Sequence, residues 1–96
     1  MNDDATFKFI LFVAGDTQNS MQAVANFTTL CRARLPGRHE IDVVDVFREA
    51  KRALAEGIFM TPTLVKVAPS PVCRIVGTLS HTPTVLHALG LEAFTV

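Results

Sequence analysis

Cys31 and Cys73, three histidines and one strand-to-helix loop are the parts of this 96-residue chain whose residue types could do chemistry. Thiol exchange needs a thiolate, favoured at a helix N-terminus or beside a cation, and usually a second cysteine a few residues away. Cys31 falls in the middle of a helical pattern and Cys73 inside a strand pattern, so both read as buried free thiols. A redox or stress-type protein using Cys31 or Cys73 is the competing function class. His39, His81 and His87 lack the cysteine or carboxylate spacing of a metal set, and no metal or cofactor is expected. Gly15-Asp16-Thr17-Gln18-Asn19-Ser20 leaves a strand and enters a helix as phosphate loops do, but has neither the lysine nor the glycine spacing of one. That argues against nucleotide binding. Two uses remain: a polar docking loop carried by Gly15, Asp16 and Asn19, or simple helix capping by Asp16 or Asn19.

Composition narrows the partners. Nine basic residues balance nine acidic ones, so no net field draws the chain to nucleic acid or to an anionic membrane. Apolar content of 49% against 19% charged excludes disorder. The mean hydropathy of +0.33 suggests that some apolar surface sits in an interface. One small domain is expected over residues 1–96, and a domain of this size buries only about 60–70% of its unfolded surface, so partner binding or self-association adds to its stability. The opening Met1-Asn2-Asp3-Asp4 lacks the basic region of a signal peptide, and Phe9 to Ala14 is too short to span a bilayer. A cytoplasmic location is the expectation.

The elements that would position the loop follow from periodicity. Phe7 to Val13 is nearly continuous apolar sequence, as in a strand covered on both faces. A helix with Met21, Val24, Phe27, Thr28, Cys31 and Leu35 at helical spacing runs to Pro36-Gly37. Glu40 to Phe47 is again strand-like, at the distance of a right-handed parallel crossover. Arg48 to Glu56 favours a short helix stopped by Gly57. A hairpin follows, Thr63 to Val67 and Val72 to Val76 around Pro69-Ser70-Pro71. Thr82-Pro83 starts a last helix with Val85, Leu86 and Leu89 inward and Gly90 at its end.

The order βαβαββα is that of the α/β thioredoxin-like fold with a mixed sheet. In that fold a Thr-Pro pair such as Thr61-Pro62 turns the backbone beside the functional loop. Its oxidoreductases carry a Cys-x-x-Cys pair where this chain has Ala14 to Ser20. A junction without sulfur reads as a protein-binding site, and no catalytic residue is expected.

Four segments in order resemble the circadian clock protein KaiB family: Leu11 to Ser20, Val43-Val44-Asp45-Val46, Thr61 to Val67, and Pro71 to Ser80. The likeness runs from about Lys8 to Leu91. It implies a non-enzymatic partner of the ring ATPase KaiC, acting in a clock or related timing or stress signalling. It also implies recruitment of KaiA, and competition with a sensor histidine kinase that carries a similar domain; a diverged interaction domain for such a kinase is a further reading. Members of the family are metamorphic: an oligomeric ground state of βαββααβ type, with a refolded C-terminal half, exchanges with a thioredoxin-like monomer. The implied partner contacts are Gly15, Asp16, Asn19, Lys66 and Arg74, and the implied conformational control points are Pro62, Pro69, Pro71, Ala88 and Gly90. Read as residues alone, the three prolines either shape a hairpin and a turn or supply slow X-Pro exchange, whose isomers lie within about 0.5–1 kcal/mol when unconstrained.

The chain departs from the family at positions that matter. Asp42 stands where relatives usually carry lysine on the second strand, and Glu40 adds to the acidity, which argues against a KaiA-type contact at that edge. Gly57 replaces a commonly basic residue, and Cys73 replaces one arginine of a frequent pair, leaving Arg74 alone. Ala88 and Gly90 replace glycine and an acidic residue, and alanine favours helix over glycine by about 1 kcal/mol, so the thioredoxin-like form is locally favoured. With Val96 the last residue read, contacts of the kind made by the acidic tail of many clock members are not expected.

Overall fold

With apolar side chains on both faces, β1 (Phe7–Val13) takes the interior of a four-stranded sheet. The computed structural model describes residues 6–91; the expectations drawn from Met1 to Asp4 and from the end at Val96 lie outside them. β1 pairs in parallel with β2 (His39–Asp45) and antiparallel with β3 (Thr63–Ala68), and β3 pairs antiparallel with β4 (Cys73–Val76). The order across the sheet is β2-β1-β3-β4, so β2 and β4 are its edges. Helices α1 (Gln18–Arg34), α2 (Ala50–Ala55) and α3 (Thr82–Leu89) complete the expected βαβαββα succession, rather than the βαββααβ alternative.

Strand alternation divides the core in two. Phe9, Leu11 and Leu64 face α1 and α3, where they pack with Ala23, Phe27, Leu30, Cys31, Val85, Leu86 and Leu89. Phe12, Val44 and Val65 face the other way, against Ala53 of α2 and Ile58 beyond it. Phe9 and Phe27 meet edge to face at 4.7 Å, which fixes α1 against the centre of the sheet. Because α2 has six residues and buries only Ala53, it covers little of its face. Ile10 on that face is only partly buried and Val67 is exposed.

Four sequence expectations are corrected here. The second strand ends at Asp45, two residues short, because the Asp45 carboxylate accepts the Phe47 N–H and turns the chain. The inward face of α1 is Ser20, Ala23, Phe27, Leu30 and Cys31, while Met21 is exposed. Neither Asp16 nor Asn19 caps α1; Thr17 holds the cap position, and its hydroxyl bonds to Ser20 rather than to the backbone. Before α3 the cap position is His81, so Pro83 falls one residue inside the first turn, and His81 Nδ1 lies 2.6 Å from Thr84 Oγ1.

Candidate functional site

The pairing register brings four connections to one end of the sheet. Val13 lies beside Asp45, Phe12 beside Thr63, and Thr63 beside Val76. The β1–α1 loop, the β2–α2 turn, the α2–β3 loop and the exit from β4 therefore converge there. Gly77 N–H donates to Pro62 O at 3.0 Å, closing the last two together.

Asp45 ties the first two. Its Oδ1 accepts the N–H of Gly15 at 3.1 Å and that of Phe47 at 2.9 Å. Gly15 adopts φ +57, and the place a Cβ would take lies 3.5 Å from the Phe47 ring. Ser20, buried in the first turn of α1, accepts the N–H of Ala14 at 3.0 Å and the hydroxyl of Thr17 at 2.9 Å. The loop is thus fixed from both sides, with Asp16 exposed on it and Asn19 exposed in the first turn of α1.

The α2–β3 loop is fixed as firmly. Gly57 takes φ +70, its N–H bonds to Leu54 O, and Ile58 N–H reaches back to Ala53 O, the two bonds of a Schellman ending. Ile58 is buried against Ala53's cluster. Thr63 Oγ1 donates to Met60 O at 2.6 Å. Between these anchors Phe59 is 86% exposed and Met60 61%, with Phe47 at 74% on the neighbouring turn. Val76 is also exposed, and Pro62, after a cis peptide, is buried beneath.

No thiol stands at this end. Burial pushes the Cys31 thiol from 9.0 up to about 12, the reverse of what a nucleophile needs. Cys73, half-buried on β4, has its Sγ 3.5 Å from Ala88 O. Among the described residues no group of three or more His, Cys, Asp or Glu is gathered, and no helix is long and apolar enough to cross a membrane.

The family model for the KaiB domain matches residues 10–91. The chain belongs to the KaiB family. It is 39% identical over 82 residues to "Circadian clock protein KaiB3" of Synechocystis sp., covering 85% of this chain and 78% of that one. To "Circadian clock oscillator protein KaiB" of a Prochlorococcus marinus strain it is 38% identical over 91 residues, covering 95% and 85%. Among solved structures, the N-terminal domain of Synechococcus elongatus SasA superposes with a TM-score of 0.74 at 17% identity, over 93% of this chain and 85% of that domain. Chloroplastic thioredoxin z superposes with a TM-score of 0.75 at 19% identity, over 95% and 81%. The fold of this KaiB-family chain is thioredoxin-like.

In this KaiB-family member the residues singled out in the sequence do not form one site. Gly15, Asp16, Asn19 and Pro62 share the sheet end. Arg74 reaches it from β4, but its guanidinium donates to Glu56 O and to Gly57 O, the latter at 3.3 Å. Lys66 is not a surface contact: it is 4% exposed, with Nζ 3.4 Å from Leu89 O and 5.9 Å from the centre of the Phe7 ring. It shares a face with Leu64 and so points under α3. Glu40 and Asp42 lie on the β2 edge, where Asp42 pairs with Arg52 at 2.7 Å. That hydrogen bond is the main reason the Arg52 pKa is raised above its ordinary value. Pro69 and Pro71 follow cis peptides in the hairpin at the opposite end of the sheet, Ala88 is exposed on α3, and Gly90 ends that helix in the left-handed region. Asp45, Phe47, Phe59 and Met60 were missed as site residues. The signal for the last two was an apolar pair between a helix-stopping glycine and Thr61-Pro62.

Proposed function

We propose that this chain is a non-enzymatic adaptor that docks on a KaiC-type ring ATPase through the sheet end carrying Phe47, Phe59, Met60 and the Gly15–Asn19 segment at the entry to α1. One observation carries the reading: in a KaiB-family chain, the junction where thioredoxins hold their cysteines is occupied by rigidly held polar loops flanked by exposed aromatic and thioether side chains. Rigid, exposed Phe and Met next to available backbone groups suit a protein partner, because little ordering entropy is lost on docking. The two cysteines lie away from this surface, which supports binding over thiol turnover.

The shared fold with the SasA N-terminal domain supports competition between the two for one ATPase surface. At the β2 edge, Asp42 is already engaged by Arg52, and Glu40 adds negative charge, which favours docking at the sheet end over a KaiA-type contact along β2. The proposal extends to an oligomeric state with a differently folded C-terminal half, in which Pro62, Pro69, Pro71, Ala88 and Gly90 all lie.

Size-exclusion chromatography with a KaiC-type ATPase in its ATP- and ADP-bound states tests the docking. Co-elution in at least one state is expected, and absence of co-elution in every state overturns the assignment. Insulin-reduction and peroxide assays on the isolated chain are expected to show no turnover. Turnover lost on replacing either cysteine would make this a redox protein instead.

A further inference from the structure

Arg74 is the charged residue most easily read as an ion-pair partner for another protein, yet its guanidinium, though exposed, is folded back along the surface onto carbonyls of its own chain. It stands on edge strand β4, on the face that α2 covers. From there it spans to the end of α2, donating from Nη2 to Glu56 O and from Nη1 to Gly57 O at 3.3 Å. The Glu56 carbonyl is one that a helix end leaves without an intrahelical partner, Gly57 O follows it just beyond the cap, and a cation there also meets the negative end of the helix dipole. The planar fork of arginine matches two adjacent carbonyls in a way a lysine ammonium does not.

The consequence lies in the next three residues. α2 is too short to hold itself in place, burying only Ala53, and Ile58 is the sole core anchor between Gly57 and Met60. Arg74 and Val76 line the same shallow cleft as Gly57, Ile58, Phe59 and Met60. We propose that Arg74 is a positioning residue: by bracing the end of α2 against β4 it presents Phe59 and Met60 to the docking partner, and its charge is not what the partner reads. This rests on the docking function proposed above and names how that surface is kept in shape.

The test combines free-chain dynamics with binding. In the free chain, Arg74→Ala is expected to speed amide exchange at Gly57 to Met60 while leaving exchange in β1 unchanged; unchanged exchange in the loop overturns the brace. Binding to the KaiC-type ATPase is then measured for the native chain, Arg74→Ala, Phe59→Ala and the double variant. Arg74→Ala and Phe59→Ala are each expected to weaken binding about tenfold, the scale of a central contact residue. In the Phe59→Ala background the loss of Arg74 is expected to weaken binding by clearly less than tenfold, about threefold, the share left acting through Met60. The dependence of affinity on salt should be the same for Arg74→Ala as for the native chain, and Arg74→Lys, which keeps the charge without the fork, should not restore binding. Independent losses in the double variant, a shallower salt dependence, or full recovery with lysine overturns the positioning role in favour of direct ion pairing. If the native chain does not bind, the docking function itself falls, and the exchange data still decide whether the brace exists.

Discussion

Replacing Asp45 with alanine should loosen the whole sheet end, and the size of the effect can be worked from its two hydrogen bonds. The carboxylate accepts from Gly15 at 3.1 Å in a partly buried setting and from Phe47 at 2.9 Å in an exposed one. A hydrogen bond to a charged group contributes about 1.5–3 kcal/mol net, and less where water takes over the lost partner. Water reaches the Phe47 N–H, so most of the loss comes from Gly15, and a total of about 2 kcal/mol is expected. With a urea slope of about 1.3 kcal/mol per molar for a chain this size, the unfolding midpoint should fall by about 1.5 M. Asp45→Asn keeps an acceptor oxygen without the charge and should lose about half as much. Equilibrium urea unfolding followed by circular dichroism measures both. A midpoint for Asp45→Ala within about 0.3 M of the native chain would refute the view that this carboxylate ties the two loops together.

Two further outcomes follow from burial and backbone geometry. The Cys31 thiol is raised from 9.0 to about 12 by burial, so its stabilising contribution is complete below pH 9 and is lost as pH climbs from about 9 towards 12. Between pH 8 and pH 10 the native chain should therefore lose about 1.3 kcal/mol more unfolding free energy than Cys31→Ala, and equal losses would show that the thiol does not contribute. Gly57→Ala should cost about 1 kcal/mol through its left-handed backbone alone, since the added Cβ meets Arg74 Nη1 at an unstrained 3.8 Å. Thermal unfolding measures it, and Gly57→Asn should lose less, because asparagine tolerates this conformation.

The strands and helices were legible because their patterns are local. β1 occupies the residues that its apolar run marks, and Gly57 and Gly90 stop helices where their backbone freedom suggested. The site was only half legible, because it depends on what the register brings together. Nothing near Asp45 in sequence reveals that its carboxylate meets Gly15, thirty positions away. Lys66 illustrates a different limit: the resemblance implied a contact there, whereas strand alternation places it on the buried face of Leu64, where it is 4% exposed. Arg74 was legible as a residue of this end of the sheet, but only the packed structure shows the helix end to which its guanidinium donates.

The ammonium of Lys66 sits among apolar side chains with its proton donated to the last turn of α3. Lifting that helix off the sheet would break this hydrogen bond and open the ammonium to water, so departure of α3 is coupled to hydration of Lys66. The final helix is in this sense latched to the strand beneath it by one buried charge.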